Sequence, residues 1–395
     1  MKDAIPAQTK RALYVLSVAY LVQATGALSV AGSMAPIARE WHLSNAQTAY
    51  LISIFGVTFA LTAPLLQVYF GHLRRRLQVL LGLAVFSSAA LLFAASPNYI
   101  VLLASRMLMG LGAGFIGPVL GALGSNLVKR EEQGSAIAVV LLGLSVAGMV
   151  GIPVSAWLSD AYGARTLFLV VGLAGIGTAA LVLALVPDQS AGERVQLATL
   201  VSLVTRARSL SAFLVVFFVA AAVYATYTFI SPIVRDVYHG DTHSVSASLT
   251  ILGVAGVMGN LFVTRAARRY GAVSMLLAGM AILAIDIVIL WWTRPHLYWF
   301  YAALVVWAFG TDILWPSQQR RIIELAPDLR GISLAVTASF VFCGIGFGSA
   351  VAGWVYPSYG FGGVLASSLL LMVLAGASLW ISNIAPAIAD RRVPS

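Results

Sequence analysis

The chain has 395 residues, of which 60% are hydrophobic and 10% charged, with a mean hydropathy of +0.92 and a formal net charge of +10 at pH 7. A soluble domain carries about 25% charged residues. One water-soluble core is therefore excluded, and a membrane protein with several spans is indicated.

Uncharged stretches predict twelve membrane-spanning helices, each near the ~20 residues that cross a bilayer. We place them at about 12–34, 46–70, 77–95, 99–125, 134–158, 166–187, 211–234, 244–264, 272–293, 298–319, 331–355 and 361–385. The polar stretch 188–210 lies between the sixth and seventh spans, and we interpret it as a cytoplasmic linker with a short amphipathic helix. The predicted fold is an all-α integral membrane protein with two pseudo-symmetric six-helix bundles, at 1–187 and 211–395.

The basic residues are distributed unevenly between the two sets of loops. Nineteen of the 24 Lys and Arg residues lie on the side that carries the N-terminus, four lie on the opposite side, and Arg106 lies within a span. Because cytoplasmic loops are enriched in Lys and Arg, both termini are predicted to be cytoplasmic. The positive charge then anchors the loops to anionic membrane lipid and does not indicate binding to nucleic acid.

The fourth span, 99–125, places Arg106 on a row of glycines. Arg106, Gly110 and Gly114 recur at steps of four, and Gly117 and Gly121 continue the same helical face. Glycines let a second helix approach closely, so we expect Arg106 to point into protein. Two roles remain open: the arginine attracts a proton-bearing partner, or it ties its helix to neighbouring carbonyls.

The fifth span carries a row of small residues and a proline. Gly143, Ala147, Gly151 and Ser155 are spaced by four, which predicts a close helix contact, and Pro153 predicts a bend.

Only two of the fourteen acidic residues, Asp286 and Asp312, lie within predicted spans. Asp312 is near mid-span and shares a helical face with Trp315 and Gln319. It is a candidate proton carrier or counter-ion for a cationic substrate, and the alternative is a carboxyl group bonded to neighbouring hydroxyls. For Asp286 a structural role is favoured over a direct one: the carboxyl group makes a structural hydrogen bond, or it lies near the outer interface within reach of Arg294.

Candidate substrate-binding residues lie on three spans. They are Gln23 in the first, Tyr224 and Tyr227 in the seventh, and Trp315 and Gln319 in the tenth. Aromatic and polar groups that face a cavity bind an amphipathic ligand, although hydrogen bonds between helices explain the seventh span equally well. Pro232 predicts a break near the end of that span.

Taken together, these features resemble the major facilitator superfamily, and within it the twelve-span drug:proton antiporter branch. LLASRMLMGLGAG, with Arg106, Gly110 and Gly112, is similar to the arginine motif of that superfamily. The fifth span resembles the antiporter motif at Gly148, Gly151, Pro153, Gly163 and Arg165. The resemblance implies that helices one, four, seven and ten line the cavity, so that Asp312 faces it and Asp286 lies at the periphery.

The loop after the second span departs from the family pattern. Gly71 stands where the family has an aspartate, and Gln67 where it has a glycine. Arg74, Arg75 and Arg76 remain, and we expect them to hold the loop through helix ends and phospholipid. The first span also lacks the acid that several family members carry, which favours a neutral or anionic substrate over a cationic one.

The sequence therefore predicts a secondary active transporter that exports a small organic solute or drug by proton-coupled alternating access. We expect a monomer in a bacterial inner membrane, with membrane lipid as its surroundings. No catalytic constellation, phosphate loop or metal-ligand spacing is evident, so no enzyme activity and no cofactor are expected. The alternatives are a sugar or metabolite facilitator or importer, and a non-transporting membrane sensor.

Overall fold

The fold was analysed in a computed structural model that describes residues 6–129, 132–188, 192, 196–266, 269–292, 296–325 and 330–389. Within these residues the chain forms fifteen α-helices and one π-helix, and no strand. The α-helices are α1 (Ala7–Gly32), α2 (Met34–Trp41), α3 (Asn45–Phe70), α4 (Arg75–Ala94), α5 (Tyr99–Ser125), α6 (Gln133–Val146), α7 (Ile152–Tyr162), α8 (Ala164–Leu185), α9 (Leu197–Thr205), α10 (Ala207–Thr228), α11 (Ile230–Asp236), α12 (Thr242–Ala266), α13 (Ala272–Trp292), α14 (Leu297–Leu325) and α15 (Arg330–Ala389). The π-helix, Ala147–Gly151, lies between α6 and α7.

Eleven apolar helices of the described chain are long enough to cross a membrane. The last of them covers 52 residues, Ile332–Asn383, and contains two crossings because Gly360 leaves the helical conformation with φ 56° and ψ −150°. Twelve crossings and the all-α membrane fold are thereby confirmed. The predicted spans 331–355 and 361–385 leave residues 356–360 as a connection, but the helix continues to Gly360. The break falls there because glycine alone adopts this backbone geometry at low cost.

The seventh crossing breaks earlier than the sequence suggested. The break lies at Phe229, where φ is −97° and ψ is 10°, and not at Pro232. Proline has no amide hydrogen for the carbonyl four residues earlier, and its ring clashes with that carbonyl. The distortion therefore appears one turn before Pro232, beside Thr228.

The fifth crossing contains a π-helix next to Pro153, and the bend predicted at this proline stays a prediction. The amide of Ile152 bonds to the carbonyl of Ala147, five residues back, and Pro153 then stands in the first turn of α7. Because Pro153 cannot donate a hydrogen bond to the carbonyl of Met149, the wider π turn absorbs the interruption without ending the span.

Helix α14 extends further than the predicted tenth span, so that Arg321 lies in the helix and not in a loop. Its side chain is 3% exposed, and Nη2 donates to Ser382 Oγ at 2.7 Å and to Asn383 Oδ1 at 3.0 Å. These acceptors on α15 allow the helix to continue past a charge that hydropathy treats as its end.

The helices pack around two large hydrophobic cores, one built mainly from residues 12–186 and the other mainly from residues 215–379. Close crossings recur about 200 residues apart: Gly82 packs on Gly112, and Gly279 packs on Gly310. This recurrence supports two pseudo-symmetric bundles. Helix α9 lies within the expected linker; the exact limits of the linker and bundles stay a prediction, and 189–191 and 193–195 lie outside the described residues.

The ends of the helices define two opposite faces of the molecule. The near face is the end that carries the start of α1, the α3–α4 loop and α9. The far face is the opposite end, which carries α2, the α7–α8 junction and the start of α12.

Candidate functional site

Arg106 is fully buried and binds three backbone carbonyls. Its Nε donates to Leu51 O at 3.1 Å, Nη1 to Gly26 O at 2.9 Å, and Nη2 to Ala27 O at 2.8 Å. The guanidinium also lies over the ring of Phe55, 4.6 Å from its centroid. These contacts join α5 to α1 and α3, and none of them joins Arg106 to an acid. The geometry matches the alternative in which the arginine ties its helix to carbonyls.

The glycines of α5 allow neighbouring backbones to approach closely. A Cβ atom placed on Gly110 would lie 2.7 Å from Phe55 O, and one on Gly114 would lie 2.9 Å from Thr62 Oγ1, both on α3. Gly112 faces α4, where the same atom would lie 2.6 Å from Phe86 N. Gly121 shares the row, but a Cβ atom placed on it would have no atom of a neighbouring helix within 4 Å. The close contact therefore ends before Gly121.

The loop between α3 and α4, at the near face, is held by its arginines at the ends of other helices, as the sequence predicted. Arg75 donates to Ala122 O at the end of α5 at 3.2 Å, and Arg76 donates to Leu183 O at the end of α8. Arg74 pairs with Asp188 at 2.7 Å. Gln78 was not among the candidates from the sequence; its side chain donates to Leu73 O at 2.8 Å and thereby braces a loop that lacks the family aspartate.

Four side chains lie at the boundary between the bundles, because each of them packs against both hydrophobic cores. We call this set the central seam; it consists of Leu28, Tyr224, Tyr227 and Trp315. The structure therefore brings together three of the five candidate substrate-binding residues.

The two tyrosines of the seam form a connected aromatic group with Trp307. The rings of Tyr224 and Tyr227 are 5.2 Å apart, and Tyr227 stacks on Trp307 at 6.2 Å with an angle of 17° between the rings. Trp307 was not among the sequence candidates. Its spacing of four and four residues through Thr311 to Trp315 places it on the same helical face, and this is the signal that could have found it.

Asp312 lies on α14 beside the seam and is only partly buried. The charge of its carboxylate acts on the hydroxyl group of Tyr224. Its carboxyl group faces α12, where a Cβ atom placed on Gly256 would lie 2.5 Å from Oδ2. Among the described residues no cationic side chain pairs with it, so the carboxylate is available to a proton or a ligand.

Asp286 is fully buried on α13, and neither of its carboxyl oxygens has a hydrogen-bond partner within the described part of the chain. The structural hydrogen bond favoured for it is therefore absent there. Arg294, which was considered as its partner, lies outside the described residues. Asp286 follows Leu283, which packs on Gly310, by about one turn of α13.

The two glutamine candidates do not join the seam. Gln23 is 2% exposed, its Oε1 has no partner among the described residues, and it lies on α1 roughly 140° around the helix from Leu28. Gln319 lies one turn beyond Trp315 towards the near face and is exposed. Asp312, Trp315 and Gln319 have the spacing of one helical face, but Gln319 lies beyond the aromatic group.

The row of small residues on the fifth crossing packs against α1. A Cβ atom on Gly143 would overlap Ser17 O, and one on Gly151 would overlap Thr25 Oγ1. Ser33 Oγ on α1 completes the contact by donating to Ser155 O at 3.4 Å. Gly148 does not belong to this row: its carbonyl oxygen lies beside Gly253 of α12, in the other bundle.

A polar network joins the two bundles at the far face. Asp160 of α7 accepts from Arg39 at 2.5 Å and from Arg235 at 3.2 Å, and Thr242 of α12 donates to the second oxygen of the same carboxylate. Apolar contact continues inwards, since a Cβ atom on Gly32 would lie 2.9 Å from Leu249.

Asp241 stands beside this network and caps the start of α12. Its Oδ1 accepts from the amide of Ser244 at 2.9 Å and from the hydroxyl of Ser244 at 2.8 Å. These bonds, with the nearby His243, lower the pKa of the Asp241 carboxyl. The described far-face acids are thus held by protein donors, and no group of metal ligands is found among the described residues.

Comparison with known proteins identifies the architecture. The profile of the Major Facilitator Superfamily matches residues 16–293 and 212–392. The chain belongs to the Major Facilitator Superfamily. It is therefore a multi-pass membrane transporter and not an enzyme.

Relatives within the superfamily cover most of the chain. The inner membrane transport protein YdhP of Escherichia coli (strain K12) is 29% identical over 365 residues, which cover 89% of this chain and 92% of that protein. A probable sugar efflux transporter of Mannheimia succiniciproducens is 25% identical over 334 residues, which cover 83% of this chain and 82% of that protein.

Solved structures show the same fold at lower identity. A bacterial homolog of the human lysosomal transporter Spinster, in an inward-facing and occupied conformation, superposes with a TM-score of 0.76 at 15% identity and covers 99% of this chain and 100% of that one. The human organic anion transporter MFSD10 superposes with a TM-score of 0.67 at 16% identity and covers 95% and 100% of the two chains.

Proposed function

We propose that this superfamily member is a proton-coupled exporter of a small, neutral organic solute. The observation that carries the proposal is the pairing of a partly exposed carboxyl group, Asp312, with the aromatic side chains of the central seam. A carboxyl group without a cationic partner exchanges a proton with water, and aromatic faces bind an organic ligand.

The chemistry of the seam favours a neutral substrate. Arg106 directs its guanidinium to carbonyls of α1 and α3, so it offers no charge to an anionic solute. Tyr224, Tyr227 and Trp315 present ring faces and hydroxyl groups, which suit a glycoside or a similar polar ring compound. The sequence left neutral and anionic substrates open, and the engagement of Arg106 favours the neutral class. Relatives named as probable sugar efflux transporters support this choice.

The proposed transport cycle alternates between a structure closed at the far face and one closed at the near face. The far face is held here by Asp160 and Arg235, one from each bundle, while Gln319 is exposed towards the near face. We place the near face in the cytoplasm, because most of the basic residues lie there and because a relative is named as an inner membrane protein. Both termini are then cytoplasmic, and a monomer with both bundles is sufficient for the cycle.

Asp312 is the proposed coupling group. A carboxylate beside the seam takes up a proton from the outer side, and the neutral form permits the bundles to exchange conformations. Arg106 is proposed to act indirectly, by fixing α1, α3 and α5 as one body.

The test uses purified protein in liposomes with an imposed pH gradient. Three probes separate the substrate classes: methyl thiogalactoside is neutral, ethidium is cationic and fluorescein is anionic. The proposal predicts gradient-driven movement of the neutral probe, abolished by a protonophore. Flux that ignores the gradient would instead identify a facilitator, and preferential movement of ethidium or fluorescein would overturn the neutral class.

A further inference from the structure

Helix α12 carries three glycines at steps of three, and they face two different partners. At Gly253 a Cβ atom would lie 2.6 Å from the Cα atom of Met149 and 2.7 Å from Gly148 O, in the π-helix of the first bundle. At Gly256 it would lie 2.5 Å from Asp312 Oδ2, and at Gly259 it would lie 3.1 Å from the Cβ atom of Asp312. One helical turn of α12 therefore contacts both the other bundle, at Gly253, and Asp312, at Gly256.

The two contacts differ in which atoms would yield to a side chain. At Gly253 the crowding atoms belong to backbone, so a larger residue must separate the two bundles. At Gly256 the nearest atom is the end of a flexible side chain, the carboxyl oxygen of Asp312. A methyl group at Gly256 would therefore displace the carboxyl group while the helices keep their places.

Few other charges act on Asp312. Tyr224 approaches it from α10, and Asp286 lies on α13, about one turn beyond the stretch that packs on Gly310. Helix α12 has no titratable residue between His243 and Arg265, and α15 has no acidic or basic residue after Arg330. On α14 the next charged residue towards the near face is Arg320. The charge of Asp312 is thus governed mainly by the space and water beside it.

We propose that Gly256 is a positioning residue for Asp312, and that α12 links the protonation of this carboxyl group to the bundle contact at Gly253. The inference rests on the proposed function, in which Asp312 exchanges the coupling proton. A carboxylate needs water beside it, whereas a neutral carboxyl group packs closely against the glycine backbone. Protonation therefore allows α12 to pack more closely against α14. Because Gly253 lies one helical turn from Gly256, this movement of α12 also changes the contact between the bundles at Gly253.

The first experiment follows the protonation of Asp312 directly, without a substrate. The carboxyl C=O band of the full-length protein in liposomes is titrated by infrared difference spectroscopy and assigned by its loss in Asp312→Asn. Gly256→Ala should raise the midpoint of this band by about half a pH unit or more, because the methyl group excludes water from the carboxylate. Gly279→Ala is the matched control: it crowds Leu314 of the same helix α14 at 2.9 Å, on the side away from Asp312.

The second experiment follows the bundles. Spin labels at Tyr162 and His243, both exposed at the far face, report the separation of α7 and α12 in a Cys343→Ser background. The distance distribution should change with pH at the midpoint of the carboxyl band, and Gly256→Ala should shift both midpoints together.

Two results would overturn the inference. In the first, the titration midpoint of the Asp312 carboxyl band is the same in Gly256→Ala as in Gly279→Ala. In the second, Gly256→Ala shifts this midpoint, but the distance between the far-face spin labels does not change with pH. Failure of the proposed function is a separate observation: the wild-type protein would show no gradient-driven flux of any probe, whatever the infrared midpoint does.

Discussion

Arg235 Nη2 lies 3.2 Å from Asp160 Oδ1, and this ion pair joins the two bundles at the far face. The side chains are 26% and 20% exposed, so water weakens their attraction. A partly exposed pair contributes up to about 1 kcal/mol. Such a contact holds one conformation and still breaks easily during a transport cycle.

Removal of the Asp160 charge should favour opening of the far face. Asp160→Asn loses the ionic contacts to Arg39 and Arg235. We expect the population with a long distance between spin labels at Tyr162 and His243 to rise up to about fivefold. The matched control is Glu324→Gln, which removes a surface pair with Arg320 within one helix. An unchanged distance distribution in Asp160→Asn would show that the far face is held by its apolar contacts alone.

Arg106 should act on stability and not on coupling. In Arg106→Lys, one compact ammonium group replaces a planar fork that reaches three carbonyls on two helices. We expect a loss of about 2–4 kcal/mol, measured by thermal unfolding in detergent. Arg320→Lys, at an exposed pair, should change stability by less than about 1 kcal/mol. A shifted pH profile of transport with unchanged thermal stability would contradict the structural role.

The glycines of α5 should respond differently to alanine. Gly112→Ala places a Cβ atom 2.6 Å from Phe86 N and 2.8 Å from Gly82 O, both backbone atoms, and should destabilise the protein by about 1–3 kcal/mol. Gly121→Ala meets no atom within 4 Å and should be neutral or stabilise the helix by up to about 1 kcal/mol. Thermal unfolding of the two variants compares them, and equal melting temperatures would refute the close crossing of α4 and α5.

The glycines of α5 illustrate which features of the fold can be predicted from the sequence. Hydropathy and glycine spacing predicted the twelve crossings and the face shared by Arg106, Gly110 and Gly114, because burial in lipid imposes helical periodicity. Spacing could not show where that face ends, since Gly121 continues the pattern but meets no neighbour.

The site was predicted less completely, because contacts between distant helices are not encoded in local periodicity. Gln23 looked like a polar group on a cavity-lining helix, but the packing of α1 buries it away from Leu28. Trp307 looked like any apolar residue of α14, but it stacks on Tyr227 of α10.

Trp315 should contribute to substrate affinity through its ring face. Trp315→Ala removes an aromatic group that packs on both bundles, and stacking of this kind contributes about 0.5–1.5 kcal/mol. We expect the KM for the transported neutral probe to rise about two- to tenfold with little change in the amount of folded protein. Trp354→Ala is the control, since Trp354 is 75% exposed on α15. Equal KM values for the two variants would remove Trp315 from the binding site.

The most direct test of proton coupling is accumulation of the neutral probe in liposomes driven by a pH gradient, compared between Asp312→Asn and Asp286→Asn. Each variant removes one of the two acids that lie within the predicted spans. The account predicts that Asp312→Asn abolishes gradient-driven accumulation while exchange of the probe down its own gradient continues, and that Asp286→Asn retains accumulation. Full gradient-driven accumulation in Asp312→Asn would contradict the account.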